Sequence, residues 1–260
     1  MPSSPAPACW TGRRLSSHRS GPENHAGRSE TSGRRSGGVF SARSHVQRGW
    51  PMYTKPEFAP LSREAVFALI EAAAFATVVT HGPHGLAVSH LPFVLDRARG
   101  ENGTLVSHLA KANPHAALIA DGAETVAVFH GPHGYISSSW YPRNPVRDSA
   151  PTWNFAVVHC HGRPVPLDGR DTARHLLQLV ETLEQGREDR WRMRELGPGG
   201  MERRMPHIIG FDLPIARLEA KFKMGQDERL YDTNAAISAL GTADPALAEL
   251  MNQHNTGRRD

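Results

Sequence analysis

The run His108-Leu109-Ala110-Lys111-Ala112-Asn113-Pro114 gathers imidazole, ammonium and amide groups where an apolar, strand-like stretch gives way to a short helix-like one. Such donors at a strand-to-helix junction suit a phosphate. A charged loop after a strand is the plainer reading. Ser89-His90-Leu91-Pro92 places a polar pair inside an apolar strand pattern, and that pair needs partners if buried. A bound anion would serve, and so would a cross-strand Thr or Ser. Tyr135-Ile136-Ser137-Ser138-Ser139-Trp140-Tyr141 and Pro151-Thr152-Trp153-Asn154-Phe155 are aromatic-rich edges. Trp and Tyr join apolar area to a hydrogen-bonding group, which suits ring stacking or a dimer seam, with core packing as the alternative. His159 and His161 stand two apart on a strand pattern and share a face, as a metal pair would. No motif supplies a third ligand, so no metal is expected. Lys221-Phe222-Lys223, followed by Gln226, sets two ammonium groups on one face for a phosphate, a partner acid or solvent.

The elements that must position these groups follow from periodicity. A helix starts near Ser62, a good N-cap, with Leu61 and Val66 at the staple positions and Val66, Leu69, Ile70 and Ala73 at helical spacing. Strands are expected at Ala76–Thr80, Leu86–Leu95, Gly103–Leu109, Thr125–Phe129, Tyr135–Ser137 and Asn154–Val165, with Gly and Pro between them. A helix over Asp171–Leu183 puts Leu176, Leu177, Val180 and Leu183 on one face. A late strand, Ile208–Glu219, closes the sheet, and Ala235–Met251 reads as one or two short helices. The pentapeptide His-Gly-Pro-His-Gly occurs at 81–85 and again at 130–134, both times as an expected turn. Short, evenly spaced strands indicate an antiparallel barrel or sandwich.

Residues 1–51 hold eight Arg against two Glu and show no apolar periodicity. They read as a disordered basic tail, or as sequence upstream of a true start at Met52. The rest, 52–260, carries 22 basic and 24 acidic residues, so the basic excess lies in the tail and the charge balance gives no support for a DNA-binding face on the body. No apolar run of about 18 residues indicates a membrane span, and the start lacks a signal peptide's apolar region, so a cytoplasmic location is expected. Cys9 and Cys160 do not make a disulfide framework, and Cys160 reads as a buried, inert thiol. There is no dinucleotide fingerprint, P-loop, nucleophile elbow or helix-turn-helix.

Taken in order, Met52-Tyr53 with Pro56 and Phe58, Ser89 to Pro92, His108 to Pro114, Phe129 to Ser137, Trp140-Tyr141, Pro151 to Asn154, Val158-His159, and Lys221 with Lys223 and Gln226 resemble the PaiB family of FMN-binding negative transcriptional regulators. The likeness runs from Met52 to about Leu230. It implies a mainly β fold with flanking helices, the FMN-binding split β-barrel, working as a homodimer with FMN at the subunit interface. By that resemblance Ser89, His90, His108, Lys111 and Asn113 surround the flavin phosphate and ribityl chain. Ser137, Trp140, Trp153 and Asn154 approach the isoalloxazine or the seam, and Lys221 and Gln226 complete the site. This chain departs from the family pattern with Ser138 in place of Pro, Phe155 in place of Tyr, and Gly225-Gln226-Asp227 where Ser-Gln-Asn is usual.

Three functions fit that reading. One is a flavin-binding regulator acting on DNA or through a regulatory protein. Another is an FMN-dependent oxidoreductase, in which the flavin does the chemistry. The third is a haem-binding or haem-degrading split-barrel protein, for which the 15 histidines are the only support.

Overall fold

The computed structural model describes residues 50–142 and 149–259. Cys9, most of the basic tail and Pro145 lie outside them. Eight antiparallel strands are joined in one path, β2-β1-β5-β6-β8-β4-β3, with β7 also on β8. The strands are β1 (Phe75–Gly82), β2 (Gly85–Pro92), β3 (Val94–Asp96), β4 (Thr104–Ala110), β5 (Thr125–Ile136), β6 (Thr152–Gly162), β7 (Val165–Pro166) and β8 (Ile208–Lys223). Among the described residues six α-helices flank them: α1 (Arg63–Ala72), α2 (His115–Ala120), α3 (Gly169–Leu183), α4 (Gly200–Arg204), α5 (Leu230–Leu240) and α6 (Pro245–Asn255). This is the mainly β, split-barrel architecture with flanking helices that the strand spacing and the family resemblance imply.

The barrel is split along β8. Its Ile215–Lys223 half pairs with β6, and its Ile208–Pro214 half pairs with β4. The switch falls at Gly162, where the register of β6 against β8 shifts. A Cβ at Gly162 would lie 2.3 Å from the Pro214 carbonyl oxygen. Only glycine lets the two backbones pass that closely. Between the halves sits Phe93, edge-on to Phe129 of β5 at 5.8 Å and to Phe211 of β8 at 6.0 Å. All three rings are buried, so one side chain ties both halves into a common core.

Local rules account for the helix starts. Ser62 Oγ accepts from the Ala65 amide at 3.1 Å, and Asp168 accepts from the Asp171 amide at 2.7 Å. The staple does not form, because Leu61 stays 61% exposed. The buried stripe of α3 is also not the leucine face: Thr172, His175 and Leu179 are buried, while Leu177 and Leu183 are exposed. Gly210 explains that rotation. A Cβ there would meet Thr172 Oγ1 at 2.5 Å, so α3 seats its small polar residue on the bare glycine of β8.

The two identical pentapeptides fold differently. At 81–85 the segment makes the β1–β2 turn, with Gly85 at φ +107°. At 130–134 it is no turn but a bulge within β5, so Thr125–Phe129 and Tyr135-Ile136 belong to one strand, which ends before Ser137. Here β6 continues opposite, and helices seat on both glycines. A Cβ at Gly131 would meet Leu69 of α1 at 2.7 Å, and one at Gly134 would meet Leu247 of α6 at 2.9 Å.

Gly162→Ala is expected to destabilise the fold by about 3 kcal/mol or more, since backbone must move. Gly169→Ala, with nothing within 4 Å of its Cβ, is expected to be near neutral. Urea unfolding of both variants checks this, and equal effects would refute the close-approach account.

Candidate functional site

One end of the barrel carries a buried polar chain. Asn113 accepts the His115 amide on Oδ1 at 3.0 Å, which orients its side chain and leaves Nδ2 to donate to Ser89 Oγ at 3.1 Å. His115 Nδ1 lies 3.0 Å from Ser89 Oγ, and its Nε2 lies 2.8 Å from Thr80 Oγ1. Thr80 meets Thr125 at 2.7 Å, and Thr125 donates to the Ala123 carbonyl at 2.9 Å. That carbonyl can only accept, so every proton is assigned. Thr80 donates to Thr125, His115 Nε2–H donates to Thr80, and the Ser89 hydroxyl donates to His115 Nδ1. Burial holds the His115 pKa below its ordinary value, in keeping with a neutral ring. The sequence reading missed His115. Its signal was a lone polar residue opening the apolar run Ala116–Ile119.

Lys111 and Asn113 therefore leave β4 with their loop braced. The Lys111 amide donates to the His207 carbonyl at 2.8 Å, and its side chain is exposed with no acidic partner among the described residues. His90 points to the opposite face of β2 from Ser89, with its Nδ1 3.2 Å from Thr77 Oγ1. His108 is turned away from this group. It faces α3, where its Nδ1 lies 3.2 Å from His175 Nε2. Burial lowers both imidazoles, and His175 falls to about 4.

The remaining expected residues lie at the other end of β5, β6 and β8. Lys221 Nζ stands 5.3 Å from the Tyr53 ring, 5.5 Å from Phe58 and 5.3 Å from Phe155, a three-sided aromatic cage. The Phe155 departure keeps that contact. Lys223 donates to Thr152 Oγ1 at 2.9 Å and lies 3.9 Å from Asp227. Trp153 is 52% exposed beside His133 and Tyr135. Trp140 packs on the core edge, and Ser137 and Ser139 share a hydrogen bond at 2.8 Å. Asn154 is buried, with Nδ2 3.5 Å from Met251 Sδ. Gln226 accepts the Met224 amide and donates to the Phe222 carbonyl, bracing the end of β8. Gly225 stands at φ +84°, which explains its place there, and the Ser138 hydroxyl is buried without a partner among the described residues.

The structure adds a third group to His159 and His161. Glu219 lies across from His159 in the β6–β8 register, with Oε2 2.9 Å from His161 Nε2. The arrangement is already spent on hydrogen bonds. Arg217 Nη2 donates to His161 Nδ1 at 3.1 Å, which places the ring proton on Nε2, facing Glu219. A metal would have to displace that proton beside a guanidinium. Glu219 Oε1 accepts the Met52 amide at 3.0 Å and so ties the segment before α1 to β8. Cys160 is fully buried and its thiol is pushed up to about 12, as an inert thiol should be.

Two outcomes follow. Thr80→Val should cost about 1–3 kcal/mol in urea unfolding, because it leaves His115 Nε2–H unsatisfied. His175 takes its proton in the unfolded chain near pH 6.5 but in the folded one only near 4. Stability is therefore full above about pH 6.5 and lost as pH falls below it. His175→Gln should remove roughly 2 kcal/mol of the loss between pH 7.5 and pH 5. An unchanged pH slope would refute that.

Residues 52–217 match the family described as "Putative FMN-binding domain". The protein named "Protease synthase and sporulation protein PAI 2" of Bacillus subtilis is 28% identical over 204 residues, 77% of this chain and 96% of the relative. An uncharacterized protein of Saccharomyces cerevisiae is 32% identical over 107 residues, 41% of this chain and 62% of the relative. Among solved structures, the FAD and heme binding protein from Mycobacterium smegmatis aligns with a TM-score of 0.48 and 17% identity, over 63% of this chain and 72% of that one. The match to the family spans well over half of the chain, and the Bacillus relative aligns along nearly its whole length: this chain belongs to the FMN-binding domain family.

Proposed function

We propose that the chain is an FMN-binding, PaiB-like regulatory protein that works as a homodimer, with the cofactor held between subunits. The observation that carries this is the Lys111 ammonium, exposed without an acidic partner among the described residues, beside the Asn113 amide that Ser89 and His115 brace. The donor set fits the group. An ammonium and an amide suit a phosphate and a polyol chain, and no carboxylate stands among the expected residues to repel an anion. His108 supports this end indirectly, as a strand residue held by α3. Bound there, the flavin supplies reversible acceptance of hydride or electrons. The chain's own residues bind and orient it.

The two residue groups lie toward opposite ends of β8 in one subunit. His108 pairs with Gly210 of β8, and Lys221 stands eleven residues further along that strand, a contour of about 36 Å at 3.3 Å per residue with the change of partner at Pro214 between them. A two-fold partner brings Trp153 and the caged Lys221 of one subunit toward Lys111 of the other. The outer face of β1, β2 and β5 supports such a seam. Phe75 is 65% exposed, Leu86 68% and Val88 56%, with Val79, Val126 and Val128 half-buried beside them.

The regulatory part rests on the family resemblance and on the relative's name, "Protease synthase and sporulation protein PAI 2". The body's net charge of −2 favours action through a partner over direct contact with DNA.

The test is the visible spectrum of the full chain after adding FMN and desalting. Flavin bands at about one FMN per chain are expected, on a species of dimer mass. Lys111→Glu should weaken retention at least about tenfold. A colourless monomer would overturn the proposal. Bleaching of the bound flavin by NAD(P)H would instead favour an oxidoreductase.

A further inference from the structure

A cavity of about 530 Å³ lies between α1 and α6, beside the β5 bulge. That size falls within the range of small-molecule sites, about 300–1,000 Å³. Its room comes from short side chains: Ala65, Ala68 and Ala72 of α1 face Leu250 of α6, with Phe222 and His254 at its inner end.

His254 is the one group there with an unmet polar requirement. It is 8% exposed, and its ring stacks on Phe222 at 5.1 Å and 22°. Its tautomer follows from Gln226. The Gln226 amide is oriented by accepting the Met224 amide on Oε1, so Nε2 is the atom 3.5 Å from His254 Nδ1. That atom only donates, so Nδ1 accepts and the ring proton sits on Nε2. His254 Nε2 is buried and has no hydrogen-bond partner among the described residues. A buried donor without an acceptor is costly, and native folds seldom keep one without a use. Burial lowers the ring's pKa, so the site presents a neutral donor and not a cation.

We propose that this cavity binds a neutral, largely apolar small molecule with a planar ring and one acceptor oxygen, which His254 Nε2–H engages once the side chains at the inner end shift to admit it. The alanine wall gives the volume and the stacked Phe222–His254 pair gives a flat surface. Ala68 is exposed at the entrance, so the cavity is reached without unfolding α1. The proposal does not depend on flavin.

The probe is prodan, a neutral naphthalene ketone whose emission moves to the blue in apolar surroundings, titrated into the full chain. Saturable, blue-shifted binding is expected. His254→Phe keeps the ring stack and removes the donor, and should weaken binding about tenfold. Ala68→Phe fills the cavity from an exposed position and should abolish binding. FMN retention should be unchanged in both variants, which separates this site from the flavin reading. Should His254→Phe fail to fold, Ala68→Phe decides alone. Absence of saturable binding to the full chain, as when its own N-terminal residues occupy the cavity, overturns the proposal. So does undiminished binding in Ala68→Phe, or a loss of dimer mass in that variant, which would make the cavity a subunit seam.

Discussion

The fold depends on the close passage of Gly162 against the Pro214 carbonyl. At that point β8 leaves β6 and takes up β4. A strand can serve two half-sheets only if it bends without losing its ladder, and the glycine on the neighbouring strand makes the bend possible. The rest follows. Phe93 can touch Phe129 and Phe211 together because the halves fold toward each other. The Lys111–Asn113 loop lies beside the start of β8, and the caged Lys221 lies near its end.

Much of the fold was legible from the chain alone, because its signals are local. Ser62 caps as its type demands, and the alternating strands fall near their expected places. The failures share one cause, an outcome decided by residues far along the chain. The pentapeptide at 130–134 has the same five residues as the turn at 81–85, yet β6 continues opposite it and α1 and α6 press on its glycines. The leucines of α3 read as its buried face, but the bare Gly210 beneath Thr172 sets the helix rotation.

The candidate site shows the same division. Ser89, Lys111 and Asn113 stand out in the sequence as candidates because their types suit an anion. Their fixed orientation comes from His115, Thr80 and Thr125, which are distant or unremarkable in sequence. Glu219 reaches His161 only through the β6–β8 pairing, which no motif encodes. Asn154 and Gln226, expected at the cofactor, spend their amides on Met251 and on the end of β8. Sequence pattern identified groups with the right chemistry, but which of them are already engaged by the protein depends on its packing.

The hydroxyl–imidazole chain from Asn113 to the Ala123 carbonyl has all its donors aligned in one sense. Dipoles arranged head to tail polarise one another, each bond strengthening the next. The Ala123 carbonyl anchors one terminus, and the remaining Asn113 N–H forms the other. Electron density shifts along such a chain from acceptor to donor, so the Asn113 end is the negative one and its remaining amide proton is a weaker donor than a free asparagine would offer. The bond that Oδ1 accepts from the His115 amide works the other way. Removing a hydroxyl as remote as Thr125 would relax that polarisation through induction alone.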